Sequence, residues 1–186
     1  MLNKLFSILP LVAVASLAYY SLQETKPVSL LSENKGRNIP PNLTEYDVVP
    51  GSVYDGDTLR VRSPKGEILK IRFACIDAPE LKQPMGEESR NHLRSLLNRG
   101  GNKIKVEPIT VDRYGRTVAQ LWNSYGLLQS QMAISGMAYG YDQYKKDCPN
   151  WSAVQSTESQ AQKERLGVWS LPNGGERPWD YRKSKR

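Results

Sequence analysis

Apolar and polar positions divide the chain into stretches of different character. Residues 5–22 are almost unbroken apolar, behind a short start in which Lys4 is the only charge among the first 22 residues. A run with no polar face does not suit a surface helix of a folded domain. It predicts a secretory signal, with Ala13-Val14-Ala15 or Ser16-Leu17-Ala18 as small residues for cleavage. Left uncleaved, it predicts a membrane anchor, because about 18 apolar residues just reach across a bilayer. Both readings export the rest of the chain, to the outside or periplasm or to a membrane tether. Residues 23–44 are polar, contain proline and lack a period, as a flexible lead-in does.

From residue 45 a mixed periodicity begins. Residues 58–62 and 67–76 read as strands joined by the turn Ser63-Pro64-Lys65-Gly66. In the second strand Leu69, Ile71, Phe73 and Cys75 share one face, and Lys70 and Arg72 share the other. Residues 86–98 predict a helix with Leu93, Leu96 and Leu97 on one side, stopped by Gly100-Gly101. Two further strands are expected at 102–109 and 117–122, a short helix at 127–135, and a last helix from Asn150 to just before Gly167. Residues 171–186 read as a basic tail. Short strands interleaved with three helices predict an α+β, mainly β domain over 45–170: a small barrel with helices packed around it, not a βαβ sheet.

Length and composition bound this picture without changing it. A chain of 186 residues, 39% apolar and 24% charged, suits one globular domain. The charge balance adds something: a formal +7 favours polyanionic partners, nucleic acid first and anionic membrane second. The single histidine, His92, excludes paired-histidine ribonuclease chemistry and a two-histidine zinc site. It is read as a helix-surface residue.

Four segments set charged residues beside turns. Tyr54-Asp55-Gly56-Asp57-Thr58 taken alone is an ordinary Asp-Gly turn. In Arg72 through Glu80 a proline separates Asp77 from Glu80. Alternation puts Asp77 in phase with the core face, where an unpaired carboxylate costs too much. Asp77 must therefore lie past the strand or bind something. Asp112-Arg113-Tyr114-Gly115-Arg116 is a polar hairpin, and residues 139–146 interleave tyrosines with Lys145 and Lys146, a composition that can stack bases and hold phosphates. Together these supply what phosphodiester cleavage requires. Guanidiniums stabilise the extra negative charge of a pentacovalent phosphate. Asp57 and Asp77 are hard oxygen donors suited to Ca²⁺ or Mg²⁺. Glu80 can orient or deprotonate a water.

At these residues the chain resembles the staphylococcal nuclease (thermonuclease) family. The matching stretches are residues 53–58, 71–72 through 77–80, 112–116 and 159–169, in family order across roughly Tyr46 to Ser170. The resemblance implies a five-stranded OB-type barrel with three helices. It implies one Ca²⁺ held by Asp57, Asp77 and the Ala78 carbonyl, with Glu80 acting on the attacking water and Arg72 and Arg116 binding the scissile phosphate. It also implies monomeric hydrolysis of DNA and RNA with little sequence preference, leaving 3′-phosphate ends. Tyr114, Tyr144 and Lys145 are the expected substrate contacts. A binding module of the same fold without catalysis is the rival reading; such modules typically lack the charged set present here.

Two departures stand out. Ala78 replaces a threonine, at the cost of one hydroxyl beside the metal. One of two pocket tyrosines matches Tyr144, but the other falls on Asp142, with Tyr139 and Tyr141 as the candidates to substitute. The loop after Glu80 is also several residues shorter. Finally, two cysteines in an exported chain are expected to pair. The resemblance places Cys148 beside the nucleotide pocket, near the strand that carries Cys75.

Overall fold

The computed structural model describes residues 39–185. The expected signal or anchor and the lead-in up to residue 38 lie outside the described residues. Within them, no helix is long and apolar enough to cross a membrane.

Five strands close into a barrel: β1 (Glu45–Val48), β2 (Thr58–Arg62), β3 (Ile68–Phe73), β5 (Lys103–Val111) and β6 (Thr117–Asn123). The antiparallel order is β3-β2-β1-β5-β6, and β6 returns to pair in parallel with β3 through Ile71–Thr117, Arg72–Val118 and Phe73–Ala119. A register shift between Pro108 and Thr110 helps β5 bend around the closure. Alternation does the packing: Leu59, Val61, Ile71, Phe73, Ile104, Val106 and Leu121 are buried, while Arg60, Arg62 and Lys70 face out. Each fully buried aliphatic side chain contributes about 1.5–3 kcal/mol. The expected mainly β, OB-type barrel is the observed one.

The strand expected over 67–76 is interrupted. β3 stops at Phe73, Ala74 bonds to the Ala119 carbonyl, and Cys75 takes a left-handed conformation (φ 70°). The chain resumes as β4 (Ile76–Asp77), which pairs with β8 (Tyr139–Gly140) outside the barrel. This single left-handed residue breaks the alternation, so Asp77 is buried without entering the apolar core.

The three expected helices are α1 (Gly86–Arg99), α2 (Leu128–Ile134, after the short strand β7, Gly126–Leu127) and α3 (Trp151–Glu164). Leu93, Leu96 and Leu97 of α1 are buried against the barrel, as their spacing requires. His92 is half-buried on α1, not on its open surface. Asn150 holds the N-cap position of α3, but its side chain makes no capping bond; its amide donates to Gln120 Oε1 instead (3.1 Å). Residues 171–185 are more than a solvated tail: they include a fourth helix, α4 (Pro178–Ser184). Proline in the first turn gives α4 a preset φ where no backbone donor is needed.

Cys75 and Cys148 form a disulfide, with Cα atoms 5.4 Å apart and 73 residues of sequence separation. A crosslink of that span removes roughly 4 kcal/mol of chain entropy from the unfolded state in the loop-closure view. The double variant Cys75→Ser/Cys148→Ser should therefore lose about 2–5 kcal/mol in urea unfolding. A midpoint equal to that of the oxidised wild type would show that the bridge adds nothing to stability.

Candidate active site

The site starts with the turn before β2. Asp55 Oδ1 accepts the Asp57 amide (3.0 Å), so Asp55 makes the local turn and Asp57 is free for other work. A side chain at Gly56 would collide with Ser89 of α1 and with the Ala78 methyl, which is why glycine separates the two aspartates. The close approach brings the Asp57 carboxylate against the far strand end, where Oδ2 accepts the Ala78 amide (2.6 Å).

Arg72 leaves the outer face of β3 and lies between two buried carboxylates. Its Nη1 pairs with Asp57 Oδ2 (2.5 Å) and its Nη2 with Asp77 Oδ1 (2.6 Å). Asp77 was expected either past the strand or in a bound state. It lies past β3, ends β4 at 0% exposure, and pairs with Arg72 and Arg182. Burial pushes the Asp57 carboxyl up to about 7, with Asp55 adding to the rise and Arg72 opposing it. Burial also raises Asp77, only partly offset by Arg72 and Arg182. For Arg72, burial favours the neutral form, yet Asp57 and Asp77 overrule it and hold the guanidinium above its ordinary value. Desolvation is thus the largest influence on both carboxyls.

Glu80 follows on the loop into α1. Its amide donates to Gln83 Oε1 (2.8 Å), and Gln83 Nε2 donates to the Glu176 carbonyl (3.2 Å), which ties this short loop to the C-terminal segment. Glu80 Oε1 accepts Arg182 Nη1 of α4 (2.8 Å), and Arg182 Nη2 reaches Asp77 Oδ2 (2.6 Å). Sequence reasoning missed Arg182 as a site residue. The one available signal was Pro178-Trp179 opening a helix with Arg182 three positions on, which puts tryptophan and arginine on one face.

Asp57, Arg72, Glu80 and Arg182 line one open cleft of about 820 Å³ that also takes in Arg116, Tyr114, Tyr141, Tyr144 and Trp179, and Asp77 lies buried behind it. Arg116 does not join the acidic cluster. Its Nε pairs with Asp112 Oδ2 of its own hairpin (2.7 Å), and its guanidinium lies 5.5 Å from the Tyr114 ring centre. Tyr114 and Tyr144 are well exposed, at 65% and 49%. Lys145 is exposed on the 3-10 turn Asp142–Asp147 but is not among the cleft-lining residues. Of the two candidates to replace the missing pocket tyrosine, Tyr139 is buried and donates its hydroxyl to the Gly174 carbonyl (2.8 Å). Tyr141 lines the cleft, stacked on Trp179 with centroids 5.1 Å apart and set edge-on to Tyr144 at 5.0 Å.

The donor set fits a hard divalent cation. Asp57 and Asp77 are desolvated oxygen donors, and Ala78 adjoins Asp77 while bonding Asp57. Among the described residues no three His, Cys, Asp or Glu side chains gather as a metal cluster. Two carboxylates, a carbonyl and water would have to complete the coordination, a composition that gives weak sites.

A small closed barrel with carboxylates and guanidiniums convergent in a cleft at its strand ends defines an OB-type domain with an ionic cleft. The family described as "Staphylococcal nuclease homologue" matches residues 70–171, and the chain belongs to that family. It is 35% identical over 143 residues to a Shigella flexneri protein named micrococcal nuclease, covering 72% of this chain and 79% of the relative. It is 31% identical over 166 residues to the Arabidopsis thaliana staphylococcal-like nuclease CAN1, covering 87% of this chain and 49% of the relative. An Escherichia coli O157:H7 protein described as an uncharacterized endonuclease is 32% identical over 134 residues, with 72% and 82% covered. The chain thus spans about half the length of the plant relative and about four-fifths of the bacterial ones.

The raised Asp57 carboxyl has a consequence for stability. Its folded value lies above its unfolded one, so its contribution is fully present below about pH 4 and is lost as pH rises through about 7. In chelator, the stability of wild type should fall across pH 4–8 relative to Asp57→Asn, which cannot ionise there. Parallel curves of melting temperature against pH for the two proteins would refute this assignment.

Proposed function

We propose that the chain is a calcium-dependent phosphodiesterase that hydrolyses DNA and RNA with little sequence specificity and leaves 3′-phosphate ends. One observation carries this reading: buried Asp57 and Asp77 clasp Arg72 beside Glu80, and Arg116 lines the same cleft. The nuclease names of the bacterial and plant relatives support it.

Asp57, Asp77 and the Ala78 carbonyl would hold one calcium ion, which when bound supplies positive charge to a phosphate that the carboxylates alone would repel. Arg72, fixed by its two partners, presents a guanidinium that needs no reorganisation as negative charge grows on the phosphate. Arg116, tethered through Nε, brings a second. Glu80 Oε2 makes no hydrogen bond among the described residues and serves as the acceptor for the attacking water's proton. As the water oxygen bonds to phosphorus, the bond to the 5′ oxygen breaks. That oxygen leaves with the electron pair and ends as a hydroxyl after protonation, while the 3′ side keeps the phosphate. Base contacts fall to the rings of Tyr114, Tyr141 and Tyr144, and stacking on a ring face accepts any base. Lys145 adds charge outside the cleft rim.

The same reading makes the protein a monomeric, exported enzyme, bound to a membrane only if residues 1–22 stay attached. The Cys75–Cys148 bridge supports export, since such bonds persist in oxidising compartments.

Cleavage of plasmid DNA and of RNA should require calcium in the millimolar range and stop in chelator. Glu80→Gln should lower turnover by at least about a hundredfold while nucleotide binding persists. Arg116→Ala should cost turnover more than binding, because its charge matters most in the transition state. Undiminished cleavage by Glu80→Gln, or full wild-type activity in chelator, would overturn the proposal.

A further inference from the structure

Arg182 occupies the place where a cation would have to bind. Asp77 Oδ1 already accepts Arg72 Nη2 (2.6 Å) and Arg182 Nη1 (3.1 Å), and Oδ2 accepts Arg182 Nη2 (2.6 Å). The Asp77 side chain is 1% exposed, and Arg182, itself lining the cleft, covers its open side. A metal ion needs a carboxylate oxygen at about 2.3–2.6 Å with a free lone pair. Arg72 reaches Asp77 only through Oδ1, so Oδ2 is the oxygen left for a cation, and there the Arg182 guanidinium stands in its way, because like charges this close repel strongly in a desolvated site. Arg182 Nη1 further reaches Glu80 Oε1 (2.8 Å), so one side chain bridges a candidate cation ligand and the candidate base.

We infer that Arg182 is the site's built-in occupant: it competes with the divalent cation for Asp77 and so determines the cation concentration at which the centre fills. The inference rests on the calcium site proposed above. The competitor is presented by a scaffold that does not depend on the ion pair. Pro178 is buried, and Trp179 stacks on Tyr141 (interplanar angle 6°) and meets Tyr139 edge-on at 6.2 Å. Just upstream, the Arg177 guanidinium lies over the Tyr139 and Trp169 rings at 4.4 and 4.7 Å. Arg182 lies one helical turn beyond Trp179, so the aromatic anchor fixes the arginine's base while its tip can leave Asp77. A bond made only to hold the C-terminus would need no second carboxylate. Because coupling is reciprocal, whatever raises cation occupancy must release Arg182, and whatever holds Arg182 must weaken cation binding.

The test is calorimetric titration of the full chain with calcium chloride, comparing wild type, Arg182→Ala, Arg182→Lys and Asp77→Asn. Arg182→Ala should bind calcium at least about tenfold more tightly than wild type, Arg182→Lys should fall between, and Asp77→Asn should not bind. Arg182→Ala within twofold of wild type, or weaker, would overturn the inference while leaving the calcium site standing. No calcium binding by wild type or by Arg182→Ala would remove the calcium site and the inference together. Hydrogen exchange on wild type gives a reading independent of any variant's folding. Saturating calcium should speed exchange in the last turn of α4, and unchanged exchange there despite measurable binding would count against displacement.

Discussion

Everything in the site is organised by the Arg72 guanidinium lying between Asp57 and Asp77. The three residues come from three chain ends: the turn before β2, the end of β3, and β4. Closure of the barrel fixes the middle one, because Arg72 is in register with Val118 where β3 meets β6. The backbone fixes the other two, through Phe73 N–H to the Asp57 carbonyl (2.8 Å) and Ala78 N–H to the Asp57 carboxylate. Removing one member of such a buried set costs about 3–5 kcal/mol, whereas apolar residues of the same volume are often no less stable. Stability alone therefore gives no reason to place charges there, which fits the chemical role proposed for them.

The disulfide serves the same end. Cys75 is the left-handed residue that turns the chain out of the barrel, two positions before Asp77, and its carbonyl accepts the Tyr141 amide (2.9 Å). Cys148 directly follows the turn that carries Tyr144. The bridge thus fastens the aromatic side of the cleft to the strand end that carries the carboxylates. The spacing between Tyr144 and the carboxylate-bearing strand end is then constrained by a covalent bond.

Most of the barrel was legible in the sequence because its signals are local. Strand 58–62 and the α1 face of Leu93, Leu96 and Leu97 follow from period 2 and period 3.6 alone. Asp77 was legible as a problem, since a carboxylate in phase with a core face demands a partner. Its answer was not legible, because the break at Cys75 is a tertiary decision: β4 leaves the barrel to pair with Tyr139–Gly140, more than sixty residues on. Asn150 shows a local signal overruled, since its side chain finds Gln120 of β6 more favourable than its own helix end. Arg182 was hidden for a different reason. In a basic C-terminal stretch every arginine looks solvated, and only the docking of Trp179 on Tyr141 singles this one out.

The charge pattern carries one last consequence. The whole chain is basic, at a formal +7, and draws a polyanion from a distance. At close range the charges are segregated: Arg113 and Arg116 line one part of the cleft, while Asp55, Asp57 and Glu80 line another, with Asp77 buried behind them. In the proposed reaction a phosphate brought to Asp57, Asp77 and Glu80 would meet carboxylates in a partly desolvated setting, where repulsion is strong. Arg72 cannot cancel this alone, since its charge is already shared between Asp57 and Asp77. Arg182 offsets part of it, but only while it is committed to Asp77 and to Glu80, the proposed base. On the proposed mechanism, a phosphate beside these carboxylates would be favoured by added positive charge that leaves Glu80 free. A divalent cation at Asp57 and Asp77 meets that condition, and a guanidinium spanning Asp77 and Glu80 does not.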